Sequence, residues 1–279
     1  MKTLVIYHAD CLDGYGAAWA AWRRFGNQAR YRPAHHGDPF PHFETGETIY
    51  ILDFAFPPDQ LRTAAQRAGR IVVLDHHETS RREFQAAQQT QAFPEHVEVH
   101  FSQEQSGCTL TWSYLHPDQA IPALLRHIED RDIWRFELPG TREITTALYE
   151  RLPLPWEEFG ALDIEELKKT GAVQAAQLDR MVQLLAKDHH AIRLGEVAGL
   201  AANAPAFLSS EVGHELAQKS GTFGATYHYS GQKQAWVFSL RSIGELDVGQ
   251  LATQYGGGGH CNAAGFRIDS AQFMTLNRG

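Results

Sequence analysis

The fold turns on one stretch, Ile71-Val72-Val73-Leu74-Asp75-His76-His77-Glu78. Its short, largely β-branched apolar run reads as a buried strand. The run ends in one acid and two imidazoles, so it delivers them to the carboxyl end of the strand, where open α/β sheets hold their ligands. Standing alone, Asp-His-His reads as a solvated turn as readily as a site, and the sequence contains its own control in Asp188-His189-His190. That second copy follows Met181 to Lys187, whose spacing is helical, so it reads as the polar end of a helix.

Upstream, the same pattern of apolar run and terminal acid recurs. Thr3 to Tyr7 reads as a strand entering His8-Ala9-Asp10-Cys11-Leu12-Asp13-Gly14, followed by an Ala- and Trp-rich helix from Tyr15 to Phe25. Gly14 lets the chain turn tightly while His8, Asp10 and Asp13 converge, and two carboxylates with an imidazole suit a divalent cation. The simpler role for Asp13 is to cap the helix. Arg30 to Ala34 reads as a strand, and His35 and His36, among 15 histidines, read as bystanders in a Pro-rich loop. Thr48 to Leu52 is a further strand, closed by Asp53, with a helix from Asp59 to Ala68 ended by Gly69. Strands joined by crossover helices bring their carboxyl ends to one edge, so His8, Asp13, Asp53 and Asp75 can meet.

Beyond His77 a polar stretch leads to a strand at Val97 to Phe101, and Ser106 is placed to cap the next helix. The helix from Ala120 to Ile128 ends in Glu129-Asp130-Arg131-Asp132, an alternation usual in a solvated salt-bridge network. Residues 141–152 continue as helix. Leu162 to Ile192 carries a long helical pattern, after which strands (Glu196 to Ala202, Gly224 to Tyr229, Gln234 to Leu240) and helices (Ser210 to Lys219, Val248 to Gln254) interleave. The chain then reaches Gly256-Gly257-Gly258-Gly259-His260. Backbone N–H groups approaching an anion, with His260 beside them as a donor, give such a run a purpose; a flexible linker is the alternative.

The expected architecture is therefore α/β. A mainly parallel sheet with helices on both faces spans residues 1–160, a helical connector 161–194, and a smaller mixed-sheet α/β domain 195–279. With 279 residues and a net charge of −8, the chain has no broad basic surface for long nucleic acid. Neither a secretory signal nor a membrane span is legible, so a cytoplasmic protein is expected. Three scattered cysteines argue against disulfides and a structural zinc site. Cys11 and Cys261 flank the two key loops; an oxidative off-switch and two inert thiols are both open.

Taken together, His8-x-Asp10-x-x-Asp13-Gly14, Asp53, Asp75-His76-His77, Asp130 and the Gly256–His260 run resemble the DHH phosphoesterase superfamily with its DHHA1 second domain. Ser239-Leu240-Arg241-Ser242, then Asp247-Val248 and the glycine run, is similar to the DHHA1 pattern in detail. Many members space the first motif as His-x-x-x-Asp-x-Asp, whereas here the acids stand at 10 and 13. The resemblance implies a cleft between the domains with two divalent ions, Mn²⁺ foremost and Mg²⁺, Co²⁺ or Fe²⁺ as alternatives. It implies His8, Asp10 and Asp53 around one ion and Asp13, Asp53, His76 and Asp130 around the other, Asp53 bridging, with Asp132 a rival to Asp130. Asp75, His76 and His77 would be catalytic, with Asp75 also among the metal ligands. Arg241, Ser242, Gly257, Gly258, Gly259 and His260 would hold a substrate phosphate. The implied branch is oligoribonuclease or cyclic-nucleotide phosphodiesterase, with short oligoribonucleotides or nucleotides as partners and a homodimer allowed. A small-molecule phosphatase and a non-catalytic nucleotide- or RNA-binding module are the competing readings.

Overall fold

The computed structural model describes residues 2–276. The chain divides into two compact units, Met1–Ala175 and Ala176–Gly279. In the first, strands and helices alternate: β1 (Thr3–His8), α1 (Leu12–Phe25), β2 (Ala29–Ala34), β3 (Thr48–Leu52), α2 (Pro58–Ala65), β4 (Arg70–Asp75), α3 (Glu78–Thr90) and β5 (Val97–Phe101). Helices α4 (Gly107–Leu115), α5 (Ala123–Asp132), α6 (Thr141–Tyr149) and α7 (Trp156–Gly160) follow. The strands form one sheet in the order β2-β1-β3-β4-β5, parallel at every pairing.

The apolar run that leads into Asp75-His76-His77 is the fourth strand, and its burial explains its composition. Ile71 to Leu74 have no exposed surface. Val72 and Leu74 join a core with Trp19, Trp112, Leu125 and Ile128. Ile71 and Val73 join another with Phe54, Phe56, Leu61 and Phe84. Alternate side chains thus meet helices on opposite faces, as a doubly covered parallel sheet requires. Each such side chain contributes about 1.5–3 kcal/mol on leaving water, an upper estimate because unfolded chains are already partly collapsed.

From β1 the chain passes to one side for β2 and returns to the other for β3. The order reverses between β1 and β3, and at such a switch point the crevice beyond the carboxyl ends stays open for a ligand. His8 closes β1 and Asp53 follows β3, so the topology itself sets these two residues at the crevice.

Helix α8 (Ile164–Lys187) runs through the division between the units. The second unit continues with β6 (His190–Leu194), β7 (Val197–Asn203), α9 (Ser209–Ser220), β8 (Phe223–Ser230), β9 (Ala235–Ser242), α10 (Val248–Thr253), β10 (Gly258–Gly259), β11 (Ala263–Ile268) and α11 (Ser270–Leu276). Its sheet runs β10-β11-β9-β8-β7-β6 and is mixed, with β7–β8 parallel and the other pairs antiparallel. Phe223, Phe238, Leu240 and Phe266 centre its core.

Two local expectations change. The helical pattern read through Ile192 stops at Lys187, because Ile192 and Leu194 bury alternately in a strand; no Gly or Pro marks that change of period. The polar stretch after His77 is helix α3, which buries only Ser80 and Phe84 and so shows almost no apolar periodicity.

Candidate metal centre and phosphate grip

Asp53 is the pivot of the first unit's crevice. Its φ is +62°, a left-handed conformation that a non-glycine residue holds only when its surroundings fix it. Its N–H donates to Leu74 O at 2.9 Å, which anchors the turn to β4. Oδ2 lies 3.4 Å from His8 Nδ1 and 3.6 Å from Cys11 Sγ. Oδ1 lies 3.2 Å from His76 Nε2, and that nitrogen is also 3.4 Å from Asp132 Oδ2 and 3.7 Å from Asp13 Oδ2. One oxygen of this carboxylate therefore faces His8 and Cys11, and the other faces His76, whose Nε2 also stands beside Asp13 and Asp132.

Glycines and a helix end shape this arrangement. A Cβ on Gly14 would stand 2.1 Å from His8 O, and one on Gly107 would stand 2.5 Å from Asp53 Cβ. Asp13 accepts from Ser106 Oγ at 2.6 Å, Gly107 N at 2.5 Å and Cys108 N at 3.0 Å, so it occupies the amino end of α4, where the helix dipole favours an anion. The alternative of Asp13 capping α1, and the expected capping of α4 by Ser106, thus give way to these three hydrogen bonds. Asp13 closes α4, and the Ser106 hydroxyl is spent on Asp13.

The electrostatics call for positive charge. Burial pushes the Asp13 carboxyl well up, and the charges of Asp53 and Asp132 add to that. Burial, helped by Asp53, also raises Asp132 against the pull of His76. Asp53 would likewise be raised by burial, but the imidazoles of His76 and His8 hold it well below the usual range. Burial alone would lower His76; its carboxylate neighbours Asp53, Asp132 and Asp13 push it up to about 11. His8 Nδ1, Asp53 Oδ1 and Asp75 Oδ2 are buried and make no hydrogen bond, which is unfavourable unless a ligand takes them. These donors fit a divalent ion.

Asp75 has a supporting position. Its Oδ1 accepts from His76 N at 2.7 Å, His77 N at 3.2 Å and His77 Nδ1 at 2.7 Å. Holding the His77 proton on Nδ1 fixes that ring's tautomer. Burial would raise the Asp75 carboxyl, but His77 holds it below the usual range.

Besides Asp75, which was expected among the ligands and instead holds His77, two further expected ligands, Asp10 and Asp130, lie elsewhere. Asp10, with φ +54°, has a side chain 90% exposed that pairs with His35 Nε2 at 3.0 Å, because the left-handed turn carries it away from Asp53. Asp130 accepts from Glu137 N at 2.9 Å, Leu138 N at 3.0 Å and Thr141 Oγ1 at 2.5 Å, so it ties the 137–141 turn together. Asp132, two residues on, is the acid that faces His76. Cys11, read from the sequence as a thiol flanking the loop, stands beside His8 and Asp53, a grouping the sequence did not reveal.

In the second unit, Arg241 donates from Nη2 to Ser210 Oγ at 2.6 Å and from Nη1 to Leu240 O at 2.8 Å. Both acceptors are neutral, so these bonds do not compensate its charge; burial lowers its pKa against the pull of Glu211. Ser242 is not available for a phosphate. Its hydroxyl donates to Leu246 O at 2.7 Å and accepts from Asn262 Nδ2 at 3.0 Å. The glycine run also differs from expectation. Gly258 and Gly259 pair with β11, and the N–H groups of Gly256, Gly257 and His260 donate to the carbonyls of Thr253, Ala252 and Ala263. A Cβ on Gly257 would stand 2.1 Å from Gly265 O. Close backbone packing is thus one reason for the glycines, and those three amides are already committed.

Residues 181–277 match the DHHA1 domain model. The chain is 31% identical over 294 residues to Uncharacterized protein R106 of Acanthamoeba polyphaga mimivirus, an alignment covering 94% of this chain and 66% of that protein. Among solved structures it is similar to RecJ from Thermus thermophilus in complex with Mn²⁺, with a TM-score of 0.53 and 14% identity over 99% of this chain and 51% of RecJ. It is also similar to the pGpG-specific phosphodiesterase PggH of Vibrio cholerae, with a TM-score of 0.48 and 14% identity over 100% of this chain and 97% of PggH. The chain thus spans about two thirds of R106 and half of RecJ. Residues 181–277 thus match a DHHA1 domain, and the likeness of the whole chain to RecJ is one of fold.

Proposed function

We propose that the chain is a metal-dependent phosphodiesterase that hydrolyses short oligoribonucleotides to mononucleotides. The observation that carries this reading is the Asp53 carboxylate, with each oxygen turned to a separate donor group. His8 and Asp53 would hold one divalent ion, and Asp53, Asp13, His76 and Asp132 the other. When bound, such a pair lowers the pKa of water toward neutrality and steadies charge on an in-line displacement at phosphorus.

The remaining work falls to the chain. Asp53 spaces the two positions. Asp75 keeps the His77 proton on Nδ1, and the His77 ring meets a phosphoryl oxygen. The Arg241 guanidinium forks onto a substrate phosphate, which its planar geometry suits and lysine's does not. A net charge of −8 disfavours long polyanions and leaves short ones as substrates.

A substrate panel tests the reading. With Mn²⁺, a diribonucleotide is expected to be cleaved to mononucleotides with a kcat/KM at least about tenfold above that of a cyclic mononucleotide, a nucleoside bisphosphate or pyrophosphate, a margin of ~1.4 kcal/mol. Products are resolved by chromatography. Turnover of pyrophosphate or bisphosphate with the dinucleotide left intact would make the protein a small-molecule phosphatase.

A further inference from the structure

The first motif holds a donor that a carboxylate–imidazole centre does not require. Cys11 follows the outward-turned Asp10, and its Sγ lies 3.6 Å from Asp53 Oδ2. His8 Nδ1 lies 3.4 Å from that same oxygen. The donor atoms of His8, Cys11 and Asp53 all fall within 4.8 Å of one another. A tetrahedral ion bound at about 2.3 Å to sulfur and about 2.0 Å to nitrogen or oxygen separates its ligands by roughly 3.3–3.6 Å. The observed separations match that spacing.

A second, independent observation points to a ligand. The His8 Nδ1 atom is buried and makes no hydrogen bond, although it faces the same Asp53 oxygen as Cys11. A thiol near a carboxylate explains the Cys11–Asp53 contact alone; it does not account for the imidazole nitrogen that stands 3.4 Å from the same oxygen without a hydrogen bond.

We propose that Cys11 Sγ is a metal ligand beside His8 and Asp53, so that this position takes a nitrogen, sulfur and oxygen donor set and selects a borderline-soft divalent ion such as Zn²⁺, Co²⁺ or Fe²⁺ over Mg²⁺. The inference rests on the dinuclear reading of the cluster and adds to it that the two positions are chemically unequal. The other, with Asp13, Asp53, His76 and Asp132, offers no sulfur and suits harder ions. Coordination forms one sulfur–metal bond and releases the thiol proton to solvent, with no electron transferred. Asp10, the acid expected in this place, instead pairs with His35.

The experiment is a Co²⁺ titration of the full chain, followed by absorbance and calorimetry. Wild type is expected to show a thiolate-to-cobalt charge-transfer band in the near ultraviolet. Cys11→Ser should remove the band and weaken Co²⁺ at one position by about 10²-fold or more, since even residues outside the ligand shell cost 10–100-fold, while the other position still fills. Cys11→Asp should also lack the band, yet bind both ions and shift the preference toward Mg²⁺; matching thermal melts exclude misfolding. Co²⁺ binding by wild type without the band, or equal affinity in Cys11→Ser, overturns the role of Cys11 and leaves the dinuclear reading in place. If wild type binds no Co²⁺, both fall.

Discussion

Asp53→Asn is expected to lower kcat/KM for Mn²⁺-dependent cleavage of a diribonucleotide by at least about 10³-fold, since a clamp of two ions supplies several kcal/mol and each 1.4 kcal/mol is worth tenfold. The substitution preserves shape and removes charge from the one side chain that faces both donor groups. Asparagine tolerates the left-handed backbone at this position better than most residues, so the fold should persist. Steady-state kinetics with circular dichroism on the same preparation checks both halves. Activity retained within tenfold would mean that Asp53 bridges nothing.

A second large effect separates neighbouring acids. Asp130→Ala removes the acceptor of two backbone N–H groups and the Thr141 hydroxyl. It should therefore destabilise the protein by about 2–4 kcal/mol, since buried groups are left without partners, and lower Tm by roughly 5–10 °C, while metal affinity changes little. Asp132→Ala should do the reverse. This residue is exposed and accepts no backbone N–H among the bonds observed, so its removal costs little stability, whereas loss of a ligand should cut metal affinity by about 10²-fold or more. Thermal melts and a Mn²⁺ titration of the two variants measure this. Loss of metal binding in Asp130→Ala with an unchanged melt would reverse the assignment.

Much of the first unit was legible because burial on both faces writes itself into composition. Ile71 to Leu74 could only be an interior strand, and its terminal acid and imidazoles followed from chain direction. The same logic found His8, Asp53 and His76, each at or just beyond a strand end. What the sequence hid depends on backbone conformation and contacts distant along the chain. Asp10 and Asp53 both adopt left-handed φ, yet one turns out toward His35 and the other in toward His76. No local pattern separates them. Asp130 and Asp132 differ through the 137–141 turn, which supplies donors to one and none to the other among the bonds observed. Asp13 reaches α4 across more than ninety residues. In the second unit the glycine run was seen, but its role in close strand packing against Gly265 and Phe266 appears only once β11 is in place.

A pair of cations sharing one carboxylate is the central claim, and anomalous diffraction from crystals grown with Mn²⁺ tests it most directly. The prediction is two peaks roughly 3.5–4 Å apart, one on each side of the Asp53 carboxylate, the first within bonding distance of His8 and the second of His76 and Asp132. A map with no peak at Asp53, or with one ion that leaves either oxygen of that carboxylate uncoordinated, would contradict it.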